Sequence, residues 1–579
     1  MKHIFLAITM ALFLFIVHYF FMPVMAYGFV GIPITLIFVG ILIISIDSID
    51  YERTWLSKVG ISSIVLGTLG IIILPILSSV IFRSNDYREL IGNVEEKTFS
   101  NDVSPIDPSR MVLIDYDVAA KLGDKRLVSE DMSLGSVVTI GKYTHQKVKD
   151  DLYYVAPLNH TSYWKWRKSK DGTPGYIMVN AHNQKDVRLV KEVNGKPIRL
   201  KYQEGGCFGD YITRHIYKKY KSYGQYEYEF ELDDEMNPWY VVPLYDKKIG
   251  YGGNDVVKVL LVNPETGKID EYEIEDVPSW VDRVYPKDIV SKQFDHWGKW
   301  VHGWPNMSGK DQMILSQGTQ IVYGDDGKCY LFSGVTSVGG DNASIGFILT
   351  DSRTKKTTLF KSGGAIESAA QASAQGKVQE KGYVASWPRP YNINGVWTYV
   401  MALKDQEGLI KSIALVSYTN YEVVGIGENI MDAIRNYKAA LNSKGDIVAP
   451  ISDDKKSFHS GKINRFGTDT KDGQFYYYIV FDEMPNVLFI GTSALSNEIP
   501  VSQIGDSLKI SYQAGNEGEI FIETFDNLNI DFIKTESQIE VDSLNNKVIE
   551  RINSENIDTK IKSKLENMSE EEKLKLLEN

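Results

Sequence analysis

Three near-continuous apolar runs open the chain: Ile4 to Val24, Phe29 to Ile46 and Val59 to Phe82. Each approaches the ~20 residues that a helix needs to cross a bilayer. The pattern therefore predicts three N-terminal transmembrane helices as an anchor over 1–82, followed by a linker over 83–104. Pro33 and Pro75 fall inside the later runs, which spanning helices tolerate. Lys2, Arg53 and Lys58 lie on one side of the proposed crossings and the short Met25–Gly28 connection carries no cation. The positive-inside rule then leaves the large folded part extracytoplasmic, in a multi-pass protein of the cell membrane. Val24 and Ala26 have the spacing of a signal cleavage site, but the length of the first run favours an uncleaved helix. His18 is the one ionisable interruption, so the head reads as an anchor and an element for self-association rather than a transport path.

Beyond residue 104 the period changes to that of half-buried strands. Tyr153-Tyr154-Val155-Ala156-Pro157-Leu158 has the same shape as Trp239-Tyr240-Val241-Val242-Pro243-Leu244. Trp397–Leu403 follows it and Cys329–Phe332 is a looser copy. Each is followed by a second strand-like run (Tyr176–Asn180, Val257–Asn263, Ile345–Thr350, Ile410–Ser417) and then by a third. Helical segments precede the hairpins at Tyr116–Leu122, Gly209–Lys221, Lys287–Val301 and Ala365–Ala374. This self-similarity predicts four α+β repeats with antiparallel sheets, over 105–200, 201–285, 286–362 and 363–441.

A helix at Glu428–Leu441 presents Ile430, Ala433, Ile434, Tyr437 and Leu441 as one stripe. A polar linker over 442–456 follows. Five short strands within 457–530 predict a small β-barrel, OB-like, with an SH3-like barrel as the competing reading. A charged helical tail over 531–579 carries a capping box at Ser569 and Glu572.

The turn Asn263-Pro264-Glu265-Thr266-Gly267-Lys268, with the strands on either side, resembles the hairpin of the PepSY family, most closely over Val262–Ile269. The resemblance implies extracytoplasmic modules that bind or regulate partners and carry no catalysis of their own. It implies no partner identity.

Composition narrows the function further. A formal charge of −12 excludes a general positive field for nucleic acid, so no nucleic-acid partner is expected. Two cysteines, Cys207 and Cys329, exclude a disulfide framework and a four-thiolate zinc site, and the spacing leaves their pairing open. His296 and His302, six residues apart, do not share the spacing of two ligands on one helix face. Asp233-Asp234-Glu235 and Asp325-Asp326-Gly327 read as turns, and Gly250–Gly253 lacks the end of a phosphate loop. No catalytic set, metal site or cofactor is expected. Trp280, Trp297, Trp300 and Trp304 form the candidate partner-binding surface, since tryptophan is favoured at interface hot spots. Lys462, Arg465, Phe466, Tyr476 and Tyr478 interleave basic and aromatic side chains on the barrel.

The reading is a membrane-anchored, non-enzymatic binding or scaffold protein of the cell envelope. Its partners would be an envelope or membrane protein, a wall component or membrane lipid, with a homo-oligomer left open. Two alternatives stand beside it. One is a membrane-anchored hydrolase using Cys207, with His215, or the His296/His302 region. The other is an accessory subunit of a transport or secretion complex.

Overall fold

Pro23 and the turn after it cut the first apolar run short, and the first helix is Lys2–Phe21. In the computed structural model, residues 2–47, 55–98, 111–443 and 456–530 are described, apart from loop positions 131, 150, 308, 317, 325–326, 339–342, 394–395, 472–473, 493–494 and 514–518. Arg53, Asp325, Asp326, the side chain of Tyr476, most of the 442–456 linker and the 531–579 tail lie outside the described residues. Among the described residues, Trp55–Leu77 is the one helix long and apolar enough to cross a membrane; the Ala11–Phe21 part of the first helix and Gly31–Asp47 are shorter apolar stretches. The expectation of three N-terminal transmembrane helices is therefore corrected. The apolar runs extend past the helix ends, and 17 residues at 1.5 Å each span about 26 Å, less than a hydrocarbon core of about 30 Å. The orientation argument, which counted three crossings, loses its premise.

Gly31–Asp47 and Trp55–Leu77 pack through small residues. A Cβ on Gly40 would lie 2.5 Å from the Gly60 carbonyl oxygen, and one on Gly67 would lie 2.6 Å from that of Pro33. Only glycine permits this backbone approach. The buried Asp47 carboxylate accepts from the Ser57 amide at 3.0 Å and ties the two helices at one end.

The stretch read as a linker is folded where it is described. Val80–Glu89 is a helix, and Val94–Thr98 adds in parallel to the strand Thr357–Ala365. Lys361 and Lys356 pair with Glu96 and Glu95 across that edge, at 2.5 and 3.0 Å.

Four antiparallel sheets then follow one plan. In each, a helix leads into an inner strand made of two pieces, then a long central strand, then two more strands in order. The inner pieces are Val138–Ile140 and Thr144–Val148, Gly224–Gln225 and Glu229–Leu232, Met313–Leu315 and Gln320–Tyr323, and Val384–Ala385 and Arg389–Ile393. Each first piece pairs with the C-terminal half of its central strand and each second piece with the N-terminal half.

The break between the pieces has one physical cause. Opposite it, the central strands carry Pro157, Pro243, Gly334 and Ala402, whose carbonyls accept from Gly141, Tyr226, Ser316 and Ser386 at 2.8–3.0 Å. Proline has no N–H to offer an inner strand. At Gly334 and Ala402 that N–H is bound instead by a side chain, the Glu367 carboxylate at 2.8 Å and the Ser386 hydroxyl at 2.9 Å. The inner strand gains no hydrogen bond by continuing straight, and it leaves the ladder.

The turns after the third strands also repeat. Asn180, Asn263 and Asp351 each accept two backbone amides, two and three residues on, and Ser417 accepts one three residues on. Such Asx turns fix the hairpin locally.

Central strands are apolar on both faces because the sheets stack on one another. Tyr153 and Val155 meet Tyr240 and Val242 between sheets one and two. Val241 and Leu261 meet Leu331 between two and three. Phe332 and Phe347 meet Tyr399 and Met401 between three and four. The fourth sheet turns its other face to the helix Ile430–Ser443 and to Met111. The ring closes where segment 111–115 meets sheet four: Arg389 donates to Val112 and Ile114 oxygens, Tyr391 Oη accepts from the Val112 amide, and Lys404 pairs with Asp115 at 2.5 Å. The result is a propeller-like ring with its inner strands around a central cavity.

The contacts divide the chain into two compact units, Met1–Ala449 and Pro450–Asn579. The second holds a closed five-stranded barrel in which Lys456–Lys471 pairs with both Gln474–Phe481 and Ser507–Gln513. Met484–Thr492 runs parallel to Glu519–Asn527. Its interior holds Ile463, Ile479, Phe481, Phe489, Leu508 and Ile510, with Ile499 from a short helical turn closing one end.

Candidate functional site: the cavity of the ring

Each break turns one or two side chains inward, and together they enclose a cavity of about 570 Å³. Lys142 and Tyr143 come from the first break, Tyr226 and Glu227 from the second, Thr319 from the third and Ser386 and Trp387 from the fourth. Asp115, Tyr116, Glu229, Arg283, Asp288, Gln371, Arg389 and Lys404 complete much of the wall. That volume lies in the range of small-molecule sites.

The wall is charged but balanced. Lys142, Arg283, Lys287, Arg389 and Lys404 stand against Asp115, Asp117, Glu227, Glu229 and Asp288. Glu229 is the hub: it takes Arg283 at 3.2 Å, Lys142 at 3.1 Å and the Thr144 hydroxyl at 2.9 Å. Burial works against its ionisation, yet Arg283 and Lys142 outweigh that and hold the carboxyl below its ordinary range. Deeper in, Glu231 accepts from the Asp282 amide at 3.0 Å, while its other oxygen has no hydrogen-bond partner among the described residues. Burial, then the charge of Asp282, pushes its carboxyl well above the usual range. Asp282 accepts from the Lys147 amide and the Tyr323 hydroxyl, both at 2.7 Å. His145 stacks on Tyr154 at 4.7 Å, and burial, followed by Arg389 and Arg283, drives its pKa well below the ordinary value, so its imidazole is neutral.

Four wall residues each keep a buried polar atom without a hydrogen-bond partner among the described residues: Tyr143 Oη, His145 Nε2, Arg283 Nε and Trp387 Nε1. Buried polar groups are nearly always paired, and these four belong to residues beside the cavity, each atom closed off from its open space and Tyr143 Oη set against Gly123. Gly123 lets Tyr143 reach its place, because a Cβ there would collide with the hydroxyl.

The tryptophans singled out in the sequence are not gathered there. Trp280 packs on Trp239 between sheets two and three. Trp297 stacks on Phe294 at 5.3 Å, lies under Arg88 and accepts its Nε–H through the backbone carbonyl at 3.2 Å. Trp300 donates to His296 Nδ1 at 3.0 Å, and Trp304 is exposed. No ring contact joins Trp280 to the other three among the described residues. His302 pairs with Asp311 at the surface. Cys207 and Cys329 are both free thiols. Burial pushes the Cys207 thiol up, the reverse of what a nucleophilic thiolate needs. His215 meets the Gly267 carbonyl at 2.7 Å and packs on Tyr202. Asp233 caps its own turn, accepting from Glu235 and Asn237 amides and from Trp239 Nε1. No metal-binding group of His, Cys, Asp or Glu occurs among the described residues.

Sequence reading missed Glu227, Glu229 and Glu231, although a signal was present. In Tyr226-Glu227-Tyr228-Glu229-Phe230-Glu231 the acids occupy every second position, which puts them on one strand face. Acids on one face of a strand with aromatics on the other read ordinarily as a solvated edge.

Known proteins add little to this geometry. No protein family matches the chain, and no curated protein matches it. Among solved structures, a mutant levansucrase from B. megaterium aligns at 9% identity over 74% of this chain and 98% of its own, with a TM-score of 0.16. At that score the alignment carries no argument about fold or function.

Proposed function

We propose that the chain is a membrane-attached, non-catalytic binding protein whose ligand site is the central cavity. The observation that carries this reading is the cavity itself, about 570 Å³ and walled by charges of both signs and by aromatic rings. The five cations and five carboxylates around it cancel. An uncharged polar ligand of about disaccharide size answers both features, and sugars are the class that fits. The aromatic side chains of Tyr116, Tyr226 and Trp387 offer flat surfaces for such rings. The likeness of the Asn263 turn to PepSY hairpins fits a module that binds rather than reacts. Trp55–Leu77 supplies the membrane attachment.

Calorimetric titration of the full chain with uncharged oligosaccharides, and with zwitterionic dipeptides as the second arm, tests the proposal. Saccharide binding is expected, weakened about three- to tenfold by Tyr226→Ala or Trp387→Ala through the loss of one stacking ring each. Binding of dipeptides but not saccharides would overturn the ligand class. Binding indifferent to both substitutions would overturn the site.

A further inference from the structure

The strongest unexplained surface lies outside the ring's cavity, on the short helix Tyr163–Lys168, whose sequence Tyr-Trp-Lys-Trp-Arg-Lys is half aromatic and half basic. Trp166 points inward and is fastened by its Nε1 to Asp210 at 3.0 Å. That bond fixes the helix so that Trp164 stands 66% exposed, beside Tyr163 at 5.3 Å. Phe208 joins them, 51% exposed, with its ring 6.2 Å from Tyr163 and 5.8 Å from Trp166. Its φ of +51° is unusual for a bulky residue and is the conformation that presents the ring.

This cluster adjoins the apolar head. Arg214 donates to the Phe208 carbonyl at 2.9 Å and to that of Tyr19 at 3.2 Å, and its guanidinium lies 4.2 Å from the centre of the Tyr19 ring. One side chain therefore joins Phe208 to the end of the first helix, where Phe20 and Phe21 are themselves exposed. Around the aromatics, Lys165, Arg167 and Lys168 face no carboxylate within ion-pair distance among the described residues. Exposed aromatics continuous with an apolar segment and rimmed by unpaired cations have the composition of a surface that lies in a lipid headgroup layer. Tryptophan and tyrosine favour that depth, and lysine and arginine favour anionic lipid.

We infer that the Tyr163–Lys168 helix and Phe208 form a second membrane contact, an interfacial site for anionic phospholipid. Trp164 and Phe208 enter the headgroup region while Lys165, Arg167 and Lys168 bind headgroup phosphates. The inference rests on the proposed membrane attachment but not on the cavity or its ligand. It implies that the first sheet is held against the bilayer and the ring cannot turn freely about its anchor.

The test uses the full chain in lipid nanodiscs, either phosphatidylcholine alone or with phosphatidylglycerol. Amide hydrogen exchange over residues 163–170 should be at least about tenfold slower in the anionic discs. Lipids brominated near the headgroup should quench a fluorescence component that Trp164→Phe removes. The triple variant Lys165→Glu, Arg167→Glu, Lys168→Glu should lose the difference between lipids while keeping its melting temperature and its saccharide binding. Equal exchange and no quenching of Trp164 in both discs, with the chain retained in them, would overturn the lipid site alone. A chain that does not enter either disc would overturn the attachment and the lipid site together.

Discussion

Glu231 and His145 show what the interior of the ring asks of single side chains. Both are buried and both are held in their neutral forms, with opposite consequences for pH. A carboxyl whose pKa is raised in the fold stabilises fully below its unfolded value of about 4.3. That stability is lost as pH climbs toward the folded value. A histidine whose pKa is lowered behaves in reverse: its contribution is present above about 6.5 and lost as pH falls through the depressed folded value. Glu231→Gln keeps an acceptor for the Asp282 amide and removes the ionisation. The variant should therefore gain on the wild type in melting temperature as pH is raised from about 5 to about 8. A gap independent of pH would show that Glu231 is charged in the fold. These residues were not legible beforehand. Alternation placed the three acids on one face, but only the stacking of a neighbouring sheet turns that face inward.

At the scale of the element, one amide side chain stitches sheet one to sheet two. Gln146 is fully buried; it donates to the Leu232 carbonyl at 2.6 Å and accepts from the Leu232 amide at 2.9 Å. It imitates one residue of a β-ladder between strands that belong to different sheets. Gln146→Ala leaves both backbone groups buried and unpaired, at roughly 1–3 kcal/mol each, so a loss of about 2–4 kcal/mol is expected in denaturant unfolding. A loss below about 1 kcal/mol would mean that the joint relaxes around the gap. The strands themselves were readable, because β-branched and aromatic runs between turn residues carry a local signal. Their breaks were not. Proline marks the position in two sheets, while Gly334 and Ala402 hold it in the others by borrowing Glu367 and Ser386. What the four positions share is an N–H withheld from the inner strand, a property that no residue type announces. The head shows the opposite error. The second apolar run opens at Phe29 but its helix begins only at Gly31 and ends at Asp47, so a run near the needed length yields a helix that falls short of it.

For the whole molecule, the division after Ala449 has a direct consequence. Every residue around the cavity belongs to the first unit, so a chain ended at Ser443 should bind its ligand within about twofold of the full chain. Loss of binding on calorimetric titration would mean that the first unit needs the remainder of the chain. The candidate site follows from the ring, and the ring from face-to-face stacking, a choice that apolar alternation alone leaves open. The same strands would be satisfied with a helix over each sheet.

The closure of that ring has a mechanical side. Segment 111–115 emerges from the anchored end of the chain, and it is latched to sheet four through Arg389, Tyr391 and Lys404. Leu441, in the last turn of the unit's final helix, belongs to the same packed cluster as Met111. Tension drawn between the anchor and the far end of the chain is borne first by Val94–Thr98 on the edge of sheet three and then by this latch. A pull strong enough to shear the latch would open the ring at one seam and bare the cavity, while a weaker one would leave the ring closed.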